Sequence, residues 1–198
     1  MGFFNEASAA DRAGGVVPRP PWVAPPADEL PAALPAPIVL VRTSHTVVAL
    51  VDVLVYRAGF EFTVTGRVRA AEVPDRWPLS MFQVGMPGSG PLSDDMLRFG
   101  VQLGDGTKLT NLDPQVGRHD PATEPRHPVM RSLTGAGAGP GRYDFRQWVW
   151  PLPPPGPVTF VCQWPSRDIP ETRVKLDASV IRTAAESAVP LWSRPRRS

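Results

Sequence analysis

The clearest pattern in the chain is a strict alternation at residues 60–69. Phe60, Phe62, Val64, Gly66 and Val68 alternate with Glu61, Thr63, Thr65, Arg67 and Arg69. A period of two predicts a β-strand with one dry face and one wet face. Upstream, Ile38 to Thr43 is apolar and β-branched, and Val47 to Tyr56 is a nearly continuous Val/Leu run. Such a run suits a strand buried on both faces. Thr43 to Thr46 fits a turn between these two. Arg57-Ala58-Gly59 fits a hairpin joint, its glycine able to supply a positive φ.

The alternation returns at Leu97, Phe99, Val101 and Leu103, followed by Asp105-Gly106, a two-residue hairpin signature, with Thr107 to Leu112 as the return strand. Tyr143 to Trp150 and Val158 to Trp164 read as strands joined by Pro151 to Pro157. In the second of these, Val158, Phe160 and Cys162 share one face. Thr172, Val174 and Leu176 mark a last strand. The period then changes. Asp177 suits an N-cap, and Val180, Ile181, Ala184, Ala185 and Ala188 line one face of a helix over 178–188. Pro190 stops it, and Leu191-Trp192 are placed to fold the end down. About eight hairpin-linked strands and one short C-terminal helix predict a mainly β fold, an antiparallel β-sandwich or an open barrel-like sheet. No helix separates the early strands, which disfavours parallel βαβ units.

Proline sharpens these boundaries. There are 26 prolines in 198 residues, and proline avoids central strands and helix interiors. None falls in 38–73, 92–113 or 141–150, whereas eight fall in 1–37 and five in 114–140. The resulting division is a Pro-rich arm at 1–37, a single β-sandwich domain at 38–192 and a basic tail at 193–198, with 114–141 read as a loop. Within the arm, Pro18 to Pro26 favours extended polyproline II geometry around Trp22. It reads either as an extension lying on the surface without order of its own or as a docking segment anchored by Trp22 and Phe3-Phe4.

Charge narrows the partners. Basic residues number 21 and acidic 19. Arg194, Arg196 and Arg197 lie in the tail, and taking them from the net +2 leaves a body at −1. No basic stripe is visible along a single element, so nucleic acid is disfavoured as a partner. No 20-residue apolar run or leader pattern appears, which gives the expectation of a cytoplasmic protein with no membrane partner.

Candidate chemistry is thin. Cys162 sits inside an apolar alternation, as a buried structural thiol would. His119, Asp120, Glu124 and His127 match no metal-ligand spacing, and His45 has no partner nearby in sequence. No nucleophile elbow or phosphate-binding loop is present. No cofactor or metal is therefore expected, and no catalytic residue is assigned. The carboxylates Asp94, Asp95, Asp168 and Glu171 are neighbours in sequence only. The tryptophans carry more. Trp148 and Trp150 should emerge on one strand face. Trp77, Trp150 and Trp164 each precede a proline, which favours extended geometry and a cluster of rings at strand ends.

Two stretches, Leu97 to Gly106 and Pro153 to Pro165 with Ile169 to Val174, resemble an uncharacterised family of actinobacterial proteins. The resemblance covers the folded part and implies no activity, so no functional residue is carried over from it. The sequence thus favours a non-enzymatic protein-interaction or scaffolding module that uses the arm and an aromatic strand face, with Trp22, Trp148 and Trp150 as contacts and an unidentified protein as partner. The alternatives are a small-ligand or carbohydrate-binding module, or a hydrolase using loop carboxylates.

Overall fold

The computed structural model describes residues 19–73, 92–113, 121–133 and 138–192. Trp77, His119, Asp120, Phe3-Phe4 and the tail at 193–198 lie outside them.

The strands are β1 (Glu29–Leu30), β2 (Ala32–Ala33), β3 (Ile38–Arg42), β4 (Thr46–Val55), β5 (Phe60–Val68), β6 (Arg98–Gln102), β7 (Lys108–Thr110), β8 (Val129–Ser132), β9 (Ala138–Gly139), β10 (Arg142–Trp150), β11 (Pro157–Trp164), β12 (Ile169–Asp177) and β13 (Val189–Pro190), with helix α1 (Ala178–Glu186) before the last. The protein is mainly β, every strand pair is antiparallel, and the sheets stack in a sandwich-like arrangement. The larger sheet runs β2-β4-β5-β10-β8, with β3 also on β4 and β9 also on β10. The smaller runs β12-β11-β6-β7, and β1 and β13 make a separate two-stranded ribbon.

The core lies between the two sheets. Phe62 of β5 meets Phe160 of β11 edge to face at 5.3 Å, and Phe99 of β6 meets Phe145 of β10 at 5.4 Å. Val158, Phe160 and Cys162 do share the buried inner face, as their alternation predicts. The sheets also approach at two corners, β3 beside β12 and β7 beside β8.

Several local expectations are corrected. The segment 114–141 is not all loop, because Val129–Ser132 is recruited as the edge strand beside β10. The Asp105-Gly106 turn is one residue longer than the dipeptide suggests. Leu103 N donates to Thr107 O at 2.9 Å, so Gly104, Asp105 and Gly106 form the loop, with Gly106 at φ 89°. A turn followed by a left-handed residue is the favoured three-residue hairpin. Gly59 does not supply a positive φ. It is there for space, since a Cβ would run into the Val149 carbonyl oxygen and come within 2.8 Å of the Trp148 ring. In β4, an irregularity between Leu50 and Asp52 turns Asp52 to solvent, so that strand is not dry throughout.

Asp177 caps α1, accepting Ser179 N at 2.8 Å. The helix buries Ala178, Ile181 and Ala185, while Val180 is exposed, so the apolar stripe is narrower than the sequence suggests. Leu191-Trp192 do not close the helix end. Leu191 N donates to Asp28 O at 2.8 Å, which continues the β1–β13 ribbon, and Trp192 is 73% exposed.

Candidate functional site

The outer face of the larger sheet is where sequence and structure diverge most. The alternation in β5 predicts that Glu61, Thr63, Thr65 and Arg67 face water. Instead Glu61 is 1% exposed, and Thr65 is also buried. Register explains what they meet. Trp148 lies opposite Glu61, Arg146 opposite Thr63, and Asp144 opposite Thr65. Residues 20–26 of the arm are half-buried, and Pro21 and Trp22 lie against the Trp148–Trp150 end of this face.

This part of the arm is not extended polyproline II. Val23 N and Ala24 N both donate to Pro20 O, at 2.9 and 3.3 Å, so residues 20–24 make a turn. Pro21 sits early in it, where a fixed φ costs nothing. The turn delivers Trp22 to the sheet. Its ring meets Trp150 edge to face with centroids 6.0 Å apart, and its Nε1 donates to Pro121 O at 3.1 Å. Arg131 Nε on β8 donates to the Trp22 carbonyl oxygen at 2.8 Å. The Trp148 Nε1 donates to Pro21 O at 2.7 Å, and the Trp148 ring stands edge to face on Tyr56 at 5.5 Å. The structure therefore brings Trp22, Trp148 and Trp150 to one place. Trp148 is fully buried there, while Trp22 and Trp150 are half-buried.

Of the tryptophans that precede prolines, the two among the described residues, Trp150 and Trp164, do not cluster. Trp164 packs on Tyr143 at the start of β10, whereas Trp150 ends that strand. Seven residues of strand rise separate the two positions, roughly 24 Å.

Next to Trp148 in the strand register lies an ion pair that the sequence does not single out. Arg146 grips Glu61 with both Nε and Nη2, and this raises the Arg146 pKa, chiefly through the hydrogen bond to Glu61. A second network surrounds Asp144. Thr65 Oγ1 donates to Oδ1 at 2.6 Å, Arg67 Nη1 to the same oxygen at 2.9 Å, and Arg142 Nε to Oδ2 at 2.6 Å. Burial would push the Asp144 pKa up, but the bonds from Thr65, Arg142 and Arg67 outweigh it and hold the carboxyl below its ordinary range. The spacing Arg142-x-Asp144-x-Arg146 places all three on one strand face and is the sequence signal that would have found both networks.

Comparison of the chain with protein-family models, curated proteins and solved structures returns no match. The site is therefore read from its own chemistry. Cys162 is buried in the core and its thiol is pushed up to about 11 by that burial. Asp94 is held by Arg98 at 3.1 Å, and Glu171 by Arg173 at 2.7 Å. Glu124 and His127 are exposed on an open cleft beside β8. Among the described residues no group of three His, Cys, Asp or Glu side chains is placed to hold a metal ion, and no helix is long and apolar enough to cross a membrane.

Proposed function

We propose that the protein is a non-enzymatic interaction module whose aromatic strand face recognises a proline-rich peptide, and that its own arm is the resident peptide. The observation that carries the reading is the bond from Trp148 Nε1 to the Pro21 carbonyl oxygen, made beside the edge-to-face contact of Trp22 with Trp150. Proline-rich segments lack backbone donors but keep strong carbonyl acceptors, and they lose little entropy on ordering. Aromatic rings with an indole N–H aimed at a carbonyl answer both properties, here for a segment that turns at Pro20–Ala24 instead of running as polyproline II. Arg131 adds a second donor, to the carbonyl of Trp22.

In this reading a protein partner engages by presenting a similar segment to the face, or by capturing the arm when it lifts. The test uses a chain beginning at Asp28 and a peptide of residues 18–27 added in trans, with folding of the shortened chain checked by circular dichroism. The shortened chain binds the peptide, a Trp22→Ala peptide binds at least tenfold more weakly, and the full-length chain binds poorly because its own arm fills the face. A folded shortened chain that ignores the peptide sinks the proposal.

A further inference from the structure

The other end of the same sheet carries an unexplained concentration of positive charge. The register places Arg42 of β3 opposite Val47 of β4, Val47 opposite Arg67 of β5, and Arg67 opposite Arg142 of β10. Three guanidinium-bearing positions thus share one cross-strand row on the outer face, at about 4.8 Å per strand step. Arg69 follows two residues beyond Arg67 with the same parity. Because each arginine comes from a different strand or a different end of one, no run of basic residues marks the row in the sequence.

The row borders a shallow concavity of about 450 Å³ lined by residues 42–47 and 67–69. Its lining holds Arg42, Arg67, Arg69 and His45, together with the Ser44 hydroxyl, and contains no carboxylate. The nearest acids among the described residues are already engaged. Asp144 bridges Arg67 and Arg142, and Glu72 lies 3.6 Å from His45 Nδ1. Four arginines thus face two carboxylates. Arg42 and Arg69 are exposed and make no ion pair among those of the described residues. The frame is braced: Thr43 Oγ1 accepts Thr46 N at 2.9 Å, and Arg69 N donates to His45 O at 2.8 Å, which ties the β3–β4 turn to the end of β5.

We infer that this concavity binds a phosphate-bearing anion, with Arg42 and Arg69 as its free guanidinium donors and Arg67, pinned by Asp144, as the fixed one. Arginine's planar fork matches the oxygens of a phosphoryl group, and charge-assisted bonds of this kind are the strong ones. Pinning Arg67 lowers the entropy lost when the anion arrives. The site is distinct from the aromatic face and does not rest on the peptide reading.

The experiment uses the full-length chain, with inorganic pyrophosphate titrated calorimetrically and, in a second arm, vesicles containing phosphatidic acid in a phosphatidylcholine background. Wild type binds one of the two probes saturably and more weakly as salt rises. The double variant Arg42→Gln/Arg69→Gln loses roughly tenfold or more in affinity, on the scale of one charge-assisted bond. Lys175→Gln, which removes one charge from the smaller sheet, leaves affinity unchanged. Pyrophosphate binding identifies a soluble phosphate ligand, and binding to vesicles alone identifies a lipid headgroup. Both substituted arginines are exposed, so an unchanged melting temperature confirms that the double variant is folded. No binding to either probe, or equal binding by wild type and the double variant, overturns the inference.

Discussion

Trp164 and Trp148 are near duplicates in local chemistry. Each is fully buried, each donates its indole N–H to a backbone carbonyl, and each stands edge to face on a tyrosine at 5.5 Å. Each also presses on a glycine of the larger sheet or its turn, Gly66 for Trp164 and Gly59 for Trp148. What differs is the cover. Trp164, the last residue of β11, packs on Tyr143 and against Gly66, with Asp95 as its acceptor and Arg167 over its ring. Trp148 lies on the outside of the larger sheet, and its acceptor is Pro21 of the arm. Tyr56 and Gly59 of the sandwich pack on the Trp148 ring, but its indole N–H is capped by a segment laid over the sheet, the one part of its cover that could leave without dismantling the sandwich.

Substitutions should separate the two sites. Trp164→Ala is expected to cost about 3–5 kcal/mol in denaturant unfolding, the usual range for an aromatic removed from a rigid core. Trp148→Ala should fall at or below the low end of that range, because the arm can settle into the space or lift away, and it should make the arm more sensitive to protease. Equal costs with no change in proteolysis would mean that both rings belong to one rigid core. Between the glycines, Gly59→Ala should be the more damaging, within the roughly 1–3 kcal/mol typical of overpacking. Its Cβ would run into a backbone carbonyl oxygen, whereas at Gly66 the nearest atom is a Trp164 ring carbon at 2.9 Å.

The polar networks on the outer face of the larger sheet refine the contrast. Asp144→Asn should lower stability at neutral pH by about 1–3 kcal/mol through loss of its charged hydrogen bonds. The sign of the pH effect follows from the depressed pKa of Asp144. The folded state favours the ionised carboxyl, so its stabilisation is present above the unfolded value of about 3.9 and is lost as pH falls through the lower folded value. The gap between wild type and variant should therefore narrow below about pH 4, measured by thermal melts across pH. A gap independent of pH would show that the charge of Asp144 contributes nothing. The smallest effect is expected from Trp22→Ala, because that ring is half-buried. Global stability should fall by about 1 kcal/mol or less, while fluorescence shifts to longer wavelength as the Trp148 and Trp150 surroundings become wetter.

Much of the sandwich was legible because period-two alternation is a local signal. Phe60 to Val68, Leu97 to Leu103 and Val158 to Cys162 each declare a strand and its inner face. Val129–Ser132 was not legible. It is four residues long, follows Pro128, and becomes a strand only because β10 offers an open edge. The burial of Glu61 and Thr65 was not legible either. Alternation reports which face a residue takes but not what its cross-strand neighbours place over it, here Arg146 on Glu61 and Asp144 on Thr65. Trp22, Trp148 and Trp150 could be singled out one at a time, but the turn at Pro20–Ala24 that joins them depends on tertiary contacts with Pro121 and Arg131. The arginine row at 42, 67 and 142 was hidden for a related reason, since it exists only across strand register.

Residues of the arm, and not of the sandwich, shield the Trp148 indole N–H from water. The most direct measurement is hydrogen exchange at the indole Nε1–H of Trp148 and of Trp164, followed by NMR in the full-length chain and in a chain beginning at Asp28. Loss of residues 1–27 should speed exchange at Trp148 by orders of magnitude and leave Trp164 protected. Equal protection of Trp148 in both chains, or parallel loss at both indoles, would contradict the account.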